Sequence, residues 1–318
     1  MKIAVLDDYA GVALEMADWG ALGARVTVFR DTITDPRDLA ARLRPFDVIC
    51  LMRERTPVGA ELIAALPDLK LIVTTGPRNA SIDVAAARAR GIVVSGTESR
   101  ATQTAELAML MILALNRRLV PEVSSLNAGG WQGGLGRDLA GLTLGLIGLG
   151  RLGGQMAALG RAFGMKIVAW SQNLTEVRCA ELGVERADSL PALMARSDVA
   201  SVHLVLSERS EGLIGAEALA ASKPGLVLVN TSRGPIVDTG ALLAGLRAGR
   251  PAMAGIDVFD EEPLPADHPL RDAGLIAEGR LLLTPHLGYV TEATFRLFYT
   301  QTVEAIRAFA EHAPIRQL

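Results

Sequence analysis

Three side chains with complementary chemistry lie in the second half of the sequence, each shortly after an apolar run: Arg233, Glu262 and His286. An arginine presents a planar fork of donors that matches a carboxylate. A histidine titrates near neutral pH and can take or give a proton, and a neighbouring carboxylate favours its protonated form. Together the three residue types could hold an anionic substrate and exchange a proton with it.

The apolar runs before these side chains predict strands that would hold them at one edge of a sheet. The runs are Leu226–Asn230, Ala254–Asp257 and Leu281–Thr284. Since ligands of open α/β sheets bind outside the carboxyl ends of the strands, we expect all three side chains to face one crevice. Simpler interpretations exist, because an arginine can pair with any carboxylate and Glu262 belongs to an acidic stretch that could be a solvated loop.

A glycine-rich turn precedes this region in the chain. The pattern Gly148-x-Gly150-x-x-Gly153 follows the predicted strand Leu142–Ile147 and leads into the predicted helix Gln155–Phe163. The first glycine allows a tight turn, the second lets the backbone approach a pyrophosphate, and the third lets the helix pack against the strand. Such glycines can serve packing alone, but the strand before them and the helix after them indicate dinucleotide binding.

The acidic residue that usually marks an NAD site is missing after the next predicted strand, Ile167–Trp170, which is followed by a polar turn with Ser171 and Asn173. An Asp or Glu there would hold the ribose hydroxyls of NAD. Without it a 2′-phosphate meets no repulsion, the two polar side chains can donate to it, and Arg151 or Arg178 could supply countercharge. The alternative is a plain polar turn with the ribose held elsewhere. The sequence therefore indicates NAD or NADP, with NADP slightly favoured.

Both halves of the chain alternate short strands with helical segments, which predicts two doubly wound parallel sheets in an α/β fold. The length of 318 residues suffices for two domains with separate cores. In the first half we predict strands at Ile3–Leu6, Val26–Phe29, Val48–Met52, Leu71–Thr75 and Ile92–Val94, and helices at Arg37–Leu43 and Ala60–Leu66. In the second half we also predict a strand at Val199–Leu206, a buried helix at Thr104–Leu119 and an amphipathic helix at 292–311.

The composition argues against several kinds of partner. The formal net charge is −3, so no strong attraction to nucleic acid or to an anionic membrane is expected. The apolar stretch Leu107–Leu115 is too short to span a bilayer, and Asp7 and Asp8 interrupt the N-terminal apolar run, so no signal peptide is predicted. Cys50 and Cys179 show neither paired nor metal-ligand spacing. We expect a cytoplasmic protein that binds a small molecule and no metal.

An ordered set of motifs gives the chain a family resemblance. Besides the glycine-rich turn and the three segments around the polar trio, the set comprises Leu139–Gly145, Ser197–Leu204 and Lys223–Gly225. The set extends over essentially the whole chain, which makes it far more specific than any one motif. The chain resembles the D-isomer-specific 2-hydroxyacid dehydrogenases, the relatives of phosphoglycerate dehydrogenase, glyoxylate/hydroxypyruvate reductase and D-lactate dehydrogenase.

The resemblance implies a split architecture. A Rossmann domain that binds NAD(P), residues 98–287, would be inserted into a flavodoxin-like substrate-binding domain formed by 1–97 and 288–318. By the same resemblance Arg233 binds the substrate carboxylate and carbonyl, His286 is the general acid/base, and Glu262 orients it. A homodimer is also implied, with the long helix after Ser99 in the interface. The apolar character of Leu107–Leu115 supports this, although burial inside one subunit is the competing explanation.

Two sets of binding residues follow from the resemblance. The cofactor would contact Gly148, Gly150, Arg151, Leu152, Gly153, Ser171, Thr104, His203, Thr231 and Asp257, the last near the nicotinamide amide. The substrate would contact Arg53, Gly76, Arg78 and Arg233. His203 lies within the predicted strand Val199–Leu206, so we interpret it as structural or cofactor-adjacent rather than catalytic.

The sequence departs from the family pattern on the substrate side. The turn at 75–83 usually reads Gly-x-Gly-x-Asp-Asn-x-Asp, but here Arg78 replaces the second glycine and Ala80 replaces the first Asp. Arg78 either adds a second cation to the site or is a surface residue of a remodelled turn. The segment Met52–Thr56 is more heavily charged than usual, and Val205 replaces a proline. These departures leave the substrate open and admit an acidic or larger one.

The predicted activity is the transfer of a hydride between NAD(P)H and a small 2-keto acid of the glyoxylate or hydroxypyruvate kind. Formate oxidation is disfavoured, because formate dehydrogenases of this family carry a glutamine where Glu262 stands. Phosphite oxidation by the same set of Arg, Glu and His stays open. A cofactor-sensing, corepressor-like binding protein is an alternative of a different class, and the lack of extended disordered tails in the sequence argues against it.

Overall fold

The chain forms two compact units, and a computed structural model describes them over residues 1–100 and 102–318. The first unit comprises Met1–Arg100 together with Val290–Leu318, and the second comprises Ala101–Tyr289. The second unit is therefore inserted into the first along the chain. An α/β fold with one domain inserted into another is confirmed.

One parallel sheet forms the centre of the first unit. Its strands are β1 (Lys2–Val5), β2 (Arg25–Val28), β3 (Val48–Leu51), β4 (Leu71–Thr74) and β5 (Val93–Ser95). They pair in the order β2-β1-β3-β4-β5. This is the predicted flavodoxin-like order, and its direction reverses between β1 and β3. Every residue of β3 and β4 is buried, as expected of parallel strands covered on both faces.

A second parallel sheet forms the centre of the second unit. Its strands are β6 (Thr143–Ile147), β7 (Lys166–Trp170), β8 (Glu185–Arg186), β9 (Val199–Val202), β10 (Val227–Asn230), β11 (Met253–Ile256) and β12 (Leu281–Leu283). They pair in the order β12-β11-β10-β9-β6-β7-β8. The direction of this Rossmann order reverses between β6 and β9, which is where such sheets bind ligands.

Helices connect the strands of both sheets. They are α1 (Ala13–Met16), α2 (Pro36–Leu43), α3 (Ala60–Ala65), α4 (Val84–Ala89), α5 (Gln103–Asn116), α6 (Leu119–Asn127), α7 (Arg151–Ala162), α8 (Glu176–Leu182), α9 (Leu190–Arg196), α10 (Ala216–Ala220), α11 (Thr239–Ala248), α12 (Ala273–Ala277) and α13 (Glu292–Ala310). The last helix packs on β4 and α1, within the first unit. The second unit has two apolar cores, and α5 belongs to the one that contains Leu144 and Val229.

Two predicted elements end earlier than the sequence suggested. The strand predicted at Val199–Leu206 stops at Val202, because its neighbours β6 and β10 end opposite that residue. The helix predicted at Thr104–Leu119 stops at Asn116, whose carbonyl accepts the N–H of Arg137 instead of continuing the helix. Arg118 then adopts a left-handed φ of 52° before α6 begins.

Two sequence expectations concern segments outside the sheets. Over residues 1–100 and 102–318, none of the helices combines the length and the apolar character that crossing a bilayer requires. Cys50 and Cys179 are both free and buried. Burial raises the pKa of each thiol, which keeps the two side chains protonated and unreactive.

Candidate active site

Glu262 and His286 form a sheltered pair in the second unit. Glu262 Oε2 lies 2.7 Å from His286 Nδ1, and the side chains of the histidine and the glutamate are only 18% and 16% exposed. The other carboxylate oxygen, Oε1, accepts the backbone N–H of Phe259 at 2.9 Å, which fixes the carboxylate. A short, charge-assisted hydrogen bond orients the ring. Because Nδ1 faces the carboxylate, Nε2 is the ring atom that would exchange a proton with a substrate.

The turn that carries His286 is held by Asp257. His286 follows β12 and has a φ of 53°, a left-handed conformation that is uncommon outside glycine. Asp257 follows β11, is completely buried, and accepts the Thr284 hydroxyl at 2.6 Å and the N–H groups of Leu287 and Gly288 at 2.7 and 2.9 Å. Burial raises the pKa of the Asp257 carboxyl, and the Thr284 hydroxyl acts against that rise.

Arg233 belongs to the same carboxyl edge of the seven-stranded sheet. It follows β10, and Asn230 shapes the connecting turn by accepting the N–H of Ser232 at 3.0 Å and donating to the Arg233 carbonyl at 2.8 Å. A Cβ on Gly234 would collide with the backbone of Phe259. That close approach brings the arginine's segment against the residues that lead to Glu262. The structure therefore places the predicted trio within one unit, after three successive strands of one sheet.

The glycine-rich turn has the shape that a dinucleotide requires. Gly148 has a φ of 106°, and a Cβ there would collide with the carbonyl oxygen of His203. A Cβ on Gly153 would collide with the carbonyl oxygen of Gly148, so the helix packs directly on the turn. A Cβ on Gly150 would meet no described atom within 4 Å, which leaves open space beside the start of α7. Among the described residues no side chain caps the start of α7, so its first N–H groups are available to a phosphate.

His203 and Thr231 have buried polar atoms without a hydrogen-bond partner among the described residues. His203 is not inside a strand as predicted; it is the first residue beyond β9, and its N–H donates to Ile147 O at 2.8 Å. Within residues 1–100 and 102–318, neither of its ring nitrogens has a hydrogen-bond partner, and the Thr231 hydroxyl lacks one too. Burial lowers the pKa of His203 to about 4. Such orphaned groups are costly to bury, so this edge fits a polar cofactor that would supply the missing partners.

The remaining predicted cofactor residues surround the glycine-rich turn, with one exception. Ser171 follows β7 and is half-buried, while Arg151 and Leu152 open α7. Arg178, which the sequence suggested as a countercharge, donates from Nε to the carbonyl of Leu149 within the turn at 3.3 Å. The exception is Thr104, whose hydroxyl donates to the carbonyl of Gly288 at 2.8 Å, in the turn that carries His286.

The predicted substrate residues Arg53, Gly76 and Arg78 belong to the first unit. Arg53 follows β3 with a φ of 55°, and its N–H donates to the Thr75 hydroxyl at 2.8 Å. A Cβ on Gly76 would collide with Nη1 of Arg53, so this glycine is what allows the guanidinium to lie over the turn. The N–H of Gly76 is already used, because it donates to the Thr97 hydroxyl at 2.7 Å. Arg78 is exposed on the same turn.

Sequence reasoning gave no site role to Asp7 at the carboxyl edge of the first unit. This residue follows β1, is 2% exposed and has a φ of 58°. It accepts the hydroxyls of Thr32 and Thr56 at 2.6 and 2.7 Å, and burial raises the pKa of its carboxyl. The sequence did contain a signal, because Asp7 directly follows an apolar run and so lies at the carboxyl end of a predicted strand. The Asp7 carboxylate thus links the segments that follow β1, β2 and β3 by hydrogen bonds.

In the part of the chain that the structure describes, no group of His, Cys, Asp and Glu side chains is arranged to hold a metal ion.

Comparison with known proteins assigns the chain to a protein family. The model for "D-isomer specific 2-hydroxyacid dehydrogenase, NAD binding domain" matches residues 109–288. The chain belongs to the D-isomer-specific 2-hydroxyacid dehydrogenase family.

Relatives with assigned names support that membership. The chain is 37% identical over 290 residues to D-3-phosphoglycerate dehydrogenase of Mycobacterium leprae (strain TN), covering 90% of this chain and 53% of that protein. It is 37% identical over 284 residues to glyoxylate reductase of Aeropyrum pernix, covering 86% of this chain and 82% of the relative. This family member thus spans about half the length of the curated phosphoglycerate dehydrogenases it matches.

A solved structure agrees over almost the full length. Phosphoglycerate oxidoreductase from Vibrio cholerae o395 superposes with a TM-score of 0.91 at 38% identity, covering 98% of this chain and all of the other. The second unit, which contains the glycine-rich turn and the trio, is the NAD-binding domain of the family.

Proposed function

We propose that this family member is an NAD(P)-dependent 2-hydroxyacid dehydrogenase that works as a 2-keto acid reductase. The observation that carries the proposal is the sheltered contact of 2.7 Å between His286 Nδ1 and Glu262 Oε2. It lies in the unit whose sheet also presents a glycine-rich turn after β6 and an arginine after β10. A fixed imidazole, an anion-binding guanidinium and a dinucleotide cradle are the three components that hydride exchange with a hydroxy acid requires.

The roles of the trio follow from their chemistry. Arg233 binds the carboxylate and the keto oxygen of the substrate, and so orients C2. His286, protonated and held by Glu262, donates its proton from Nε2 to the keto oxygen as the C–O double bond becomes a hydroxyl. In the oxidative direction the neutral ring takes that proton back. A bound nicotinamide supplies or accepts the hydride.

The cofactor is NAD or NADP, and we propose a preference for NADP. Gly148, Gly150 and Gly153 form the pyrophosphate cradle. Ser171 stands where an acidic residue would repel a 2′-phosphate, and the Arg178 guanidinium contacts the turn through Leu149 O. Arg151, Leu152, His203 and Thr231 complete the proposed contacts.

A small 2-keto acid of the glyoxylate or hydroxypyruvate kind is the proposed substrate. The similarity to a protein named glyoxylate reductase supports this choice. Arg53 and Arg78 add cationic groups at the carboxyl edge of the first unit, and Gly76 makes room for the first of them. We propose that Arg53 binds an anionic group of the substrate, in place of the backbone N–H of Gly76 that Thr97 already occupies.

We also propose a homodimer. The segment Leu107–Leu115 of α5 is mostly buried within its own unit, so burial in one subunit explains most of its apolar character. Exposed apolar side chains occur instead on α6 and after it, where Leu126 is 58% exposed, Trp131 73% and Leu135 96%. Such a patch suits an interface between two copies. Light scattering at micromolar concentration should give twice the chain mass of 33.6 kDa, and a monomer mass would contradict the proposal.

Steady-state turnover tests the proposed activity. The purified protein should oxidise NADPH or NADH, followed by absorbance, when glyoxylate, hydroxypyruvate or another 2-keto acid is added. A screen of 2-keto acids against both cofactors identifies the substrate. Phosphite with NAD or NADP serves as the comparison. Turnover of phosphite alone, or of none of these compounds, would contradict the proposed function.

A further inference from the structure

The turn that carries His286 is fastened by two elements that are distant from it in sequence. Asp257, after β11, accepts the N–H groups of Leu287 and Gly288 from across 30 and 31 residues. Thr104, near the start of α5, donates its hydroxyl to the carbonyl of Gly288 at 2.8 Å, from across 184 residues. Asp257 accepts the N–H of Gly288 and Thr104 donates to its carbonyl, so both backbone polar groups of Gly288 are hydrogen-bonded. The backbone that follows His286 is therefore held by two side chains from distant parts of the sequence.

Gly288 lies in close contact with both fastening side chains. A Cβ on this residue would stand 3.2 Å from Asp257 Oδ2 and 3.3 Å from Thr104 Cγ2. Both distances are tighter than most contacts that a Cβ makes in proteins, so a methyl group there would push the neighbouring side chains by a few tenths of an ångström. The carboxylate and the threonine therefore form a tight bracket around the glycine.

The two side chains of the bracket hold the backbone next to a residue in an unfavourable conformation, His286. His286 has a left-handed backbone with φ of 53°, which a non-glycine residue keeps only when the surrounding structure imposes it. The Thr284 hydroxyl donates to Asp257 Oδ1 at 2.6 Å, so the same carboxylate holds the turn before His286 as well as after it. Release of either fastening would let the backbone relax and would turn the imidazole away from Glu262.

We propose that Thr104 and Asp257 are positioning residues that hold the His286 turn in its left-handed conformation for proton transfer. The proposal rests on the proposed function, in which His286 moves the proton. It differs from the role that family resemblance implies for these two residues, which is contact with the cofactor. The two roles separate experimentally, because loss of a cofactor contact weakens cofactor binding, whereas a loosened turn slows turnover at saturating cofactor and substrate.

The test replaces Thr104 with valine, which keeps the shape of the side chain and removes the hydroxyl. With a 2-keto acid that the wild type reduces, Thr104→Val should lower kcat about five- to tenfold, the equivalent of one lost hydrogen bond. The dissociation constant of the reduced cofactor, measured by fluorescence titration, should stay within about twofold. Thr104→Ser restores the donor and should recover most of kcat.

Two further variants supply a second test and a matched control. Gly288→Ala presses a methyl group against both fastening side chains and should lower kcat at least as much as Thr104→Val. Ser222→Ala is the matched control, since Ser222 is a buried residue whose hydroxyl also donates to a backbone carbonyl, that of Leu219 at 2.6 Å, away from the turn. It should leave kcat and cofactor binding unchanged. A Thr104→Val protein with wild-type kcat, or one whose cofactor binding weakens in proportion to kcat, would overturn the positioning role.

A spectroscopic measurement keeps this inference separate from the proposed activity. The chain has four histidines, so ring carbon and nitrogen signals of His-labelled protein can be assigned one by one with single substitutions. In the protein without cofactor or substrate, Thr104→Val should shift the His286 ring signals, and Ser222→Ala should not. An unmoved His286 signal contradicts the bracket whether or not the protein turns over 2-keto acids, whereas a shifted signal in a protein that reduces none of them contradicts only the proposed function.

Discussion

At the carboxyl edges of both sheets, residues that follow a strand have a positive φ, but the side chains found there suit different chemistry. At the edge of the five-stranded sheet, Asp7 and Arg53 follow their strands in left-handed conformations. At the edge of the seven-stranded sheet, Gly148 and His286 do the same. The first edge combines these strained residues with hydroxyls and exposed or half-buried guanidinium groups. The second combines them with a sheltered carboxylate–imidazole pair and with buried polar atoms that have no hydrogen-bond partner among the described residues.

This difference shows that the fold determines where a site can form, at the carboxyl ends of the strands. The residues that follow each strand determine which reaction that site can support. Guanidinium groups at the first edge suit the binding of an anion. A fixed imidazole with a sheltered carboxylate beside it suits proton transfer. Substitutions at the first edge should therefore change the concentration of substrate that is needed, and substitutions at the second should change the rate at saturation.

The largest effect is expected at the second edge. His286→Ala should lower kcat for 2-keto acid reduction by about 10²–10⁴, because a positioned acid/base group contributes that much. Cofactor binding should be unchanged, which fluorescence titration would check. His312→Ala, which removes an exposed histidine of the first unit, is the control and should be neutral. A His286→Ala enzyme with near-normal turnover would remove this residue from the mechanism.

A change of opposite character is expected at the first edge. Arg53→Gln should raise KM for the 2-keto acid about ten- to one-hundredfold, since a charged hydrogen bond contributes about 1.5–3 kcal/mol. Its kcat should fall much less than in His286→Ala. Arg44→Gln, which removes an exposed arginine beyond the C-terminal end of α2, should leave both constants unchanged. If Arg53→Gln lowers kcat and leaves KM unaltered, the contrast between the two edges is wrong.

The buried ring of His203 should affect stability as pH falls. Its pKa in the folded protein is about 4, below the value of about 6.5 for an unfolded chain. The unfolded state therefore binds more protons between these values, and the free energy of unfolding falls as the pH drops through that window. The loss from this group should reach about 2 kcal/mol between pH 7 and pH 5.

Urea unfolding of the wild type and of His203→Gln at both pH values measures that contribution. The variant should lose less stability on acidification than the wild type, by about 2 kcal/mol. His312→Gln serves as the control, because that histidine is exposed. Equal acid sensitivity of wild type and His203→Gln would show that the His203 ring is protonated as readily in the folded protein as in the unfolded chain.

The smallest effect concerns the choice of cofactor within the second edge. Ser171→Asp should shift the ratio of kcat/KM for NADH over NADPH toward NADH by about tenfold or more, because the new carboxylate accepts from the ribose hydroxyls and repels a 2′-phosphate. Ser189→Asp is the matched control, since Ser189 caps α9 and an aspartate caps a helix equally well. A wild type that already strongly prefers NADH, or a ratio that does not move, would place the recognition of the ribose elsewhere.

The sequence by itself determined the alternation of strands and helices, the position of the glycine-rich turn and the identity of the trio. These features are local: a strand buried on both faces reads as an apolar run, and the residue that follows it reaches the edge of the sheet wherever the sheet lies. The terminal helix, predicted at 292–311, is found at Glu292–Ala310 for the same reason. The motif order that identified the family is also a property of sequence alone.

Only the tertiary structure decided where elements stop and which polar groups meet. The strand after Val199 ends at Val202 because its neighbours end there, so His203 lies at the edge and not within the sheet. Asp257 and Thr104 reach the His286 turn from across 30 and 184 residues, and no local pattern specifies such contacts. Their geometry depends on how the strands and helices pack, and that packing imposes the left-handed conformation on His286.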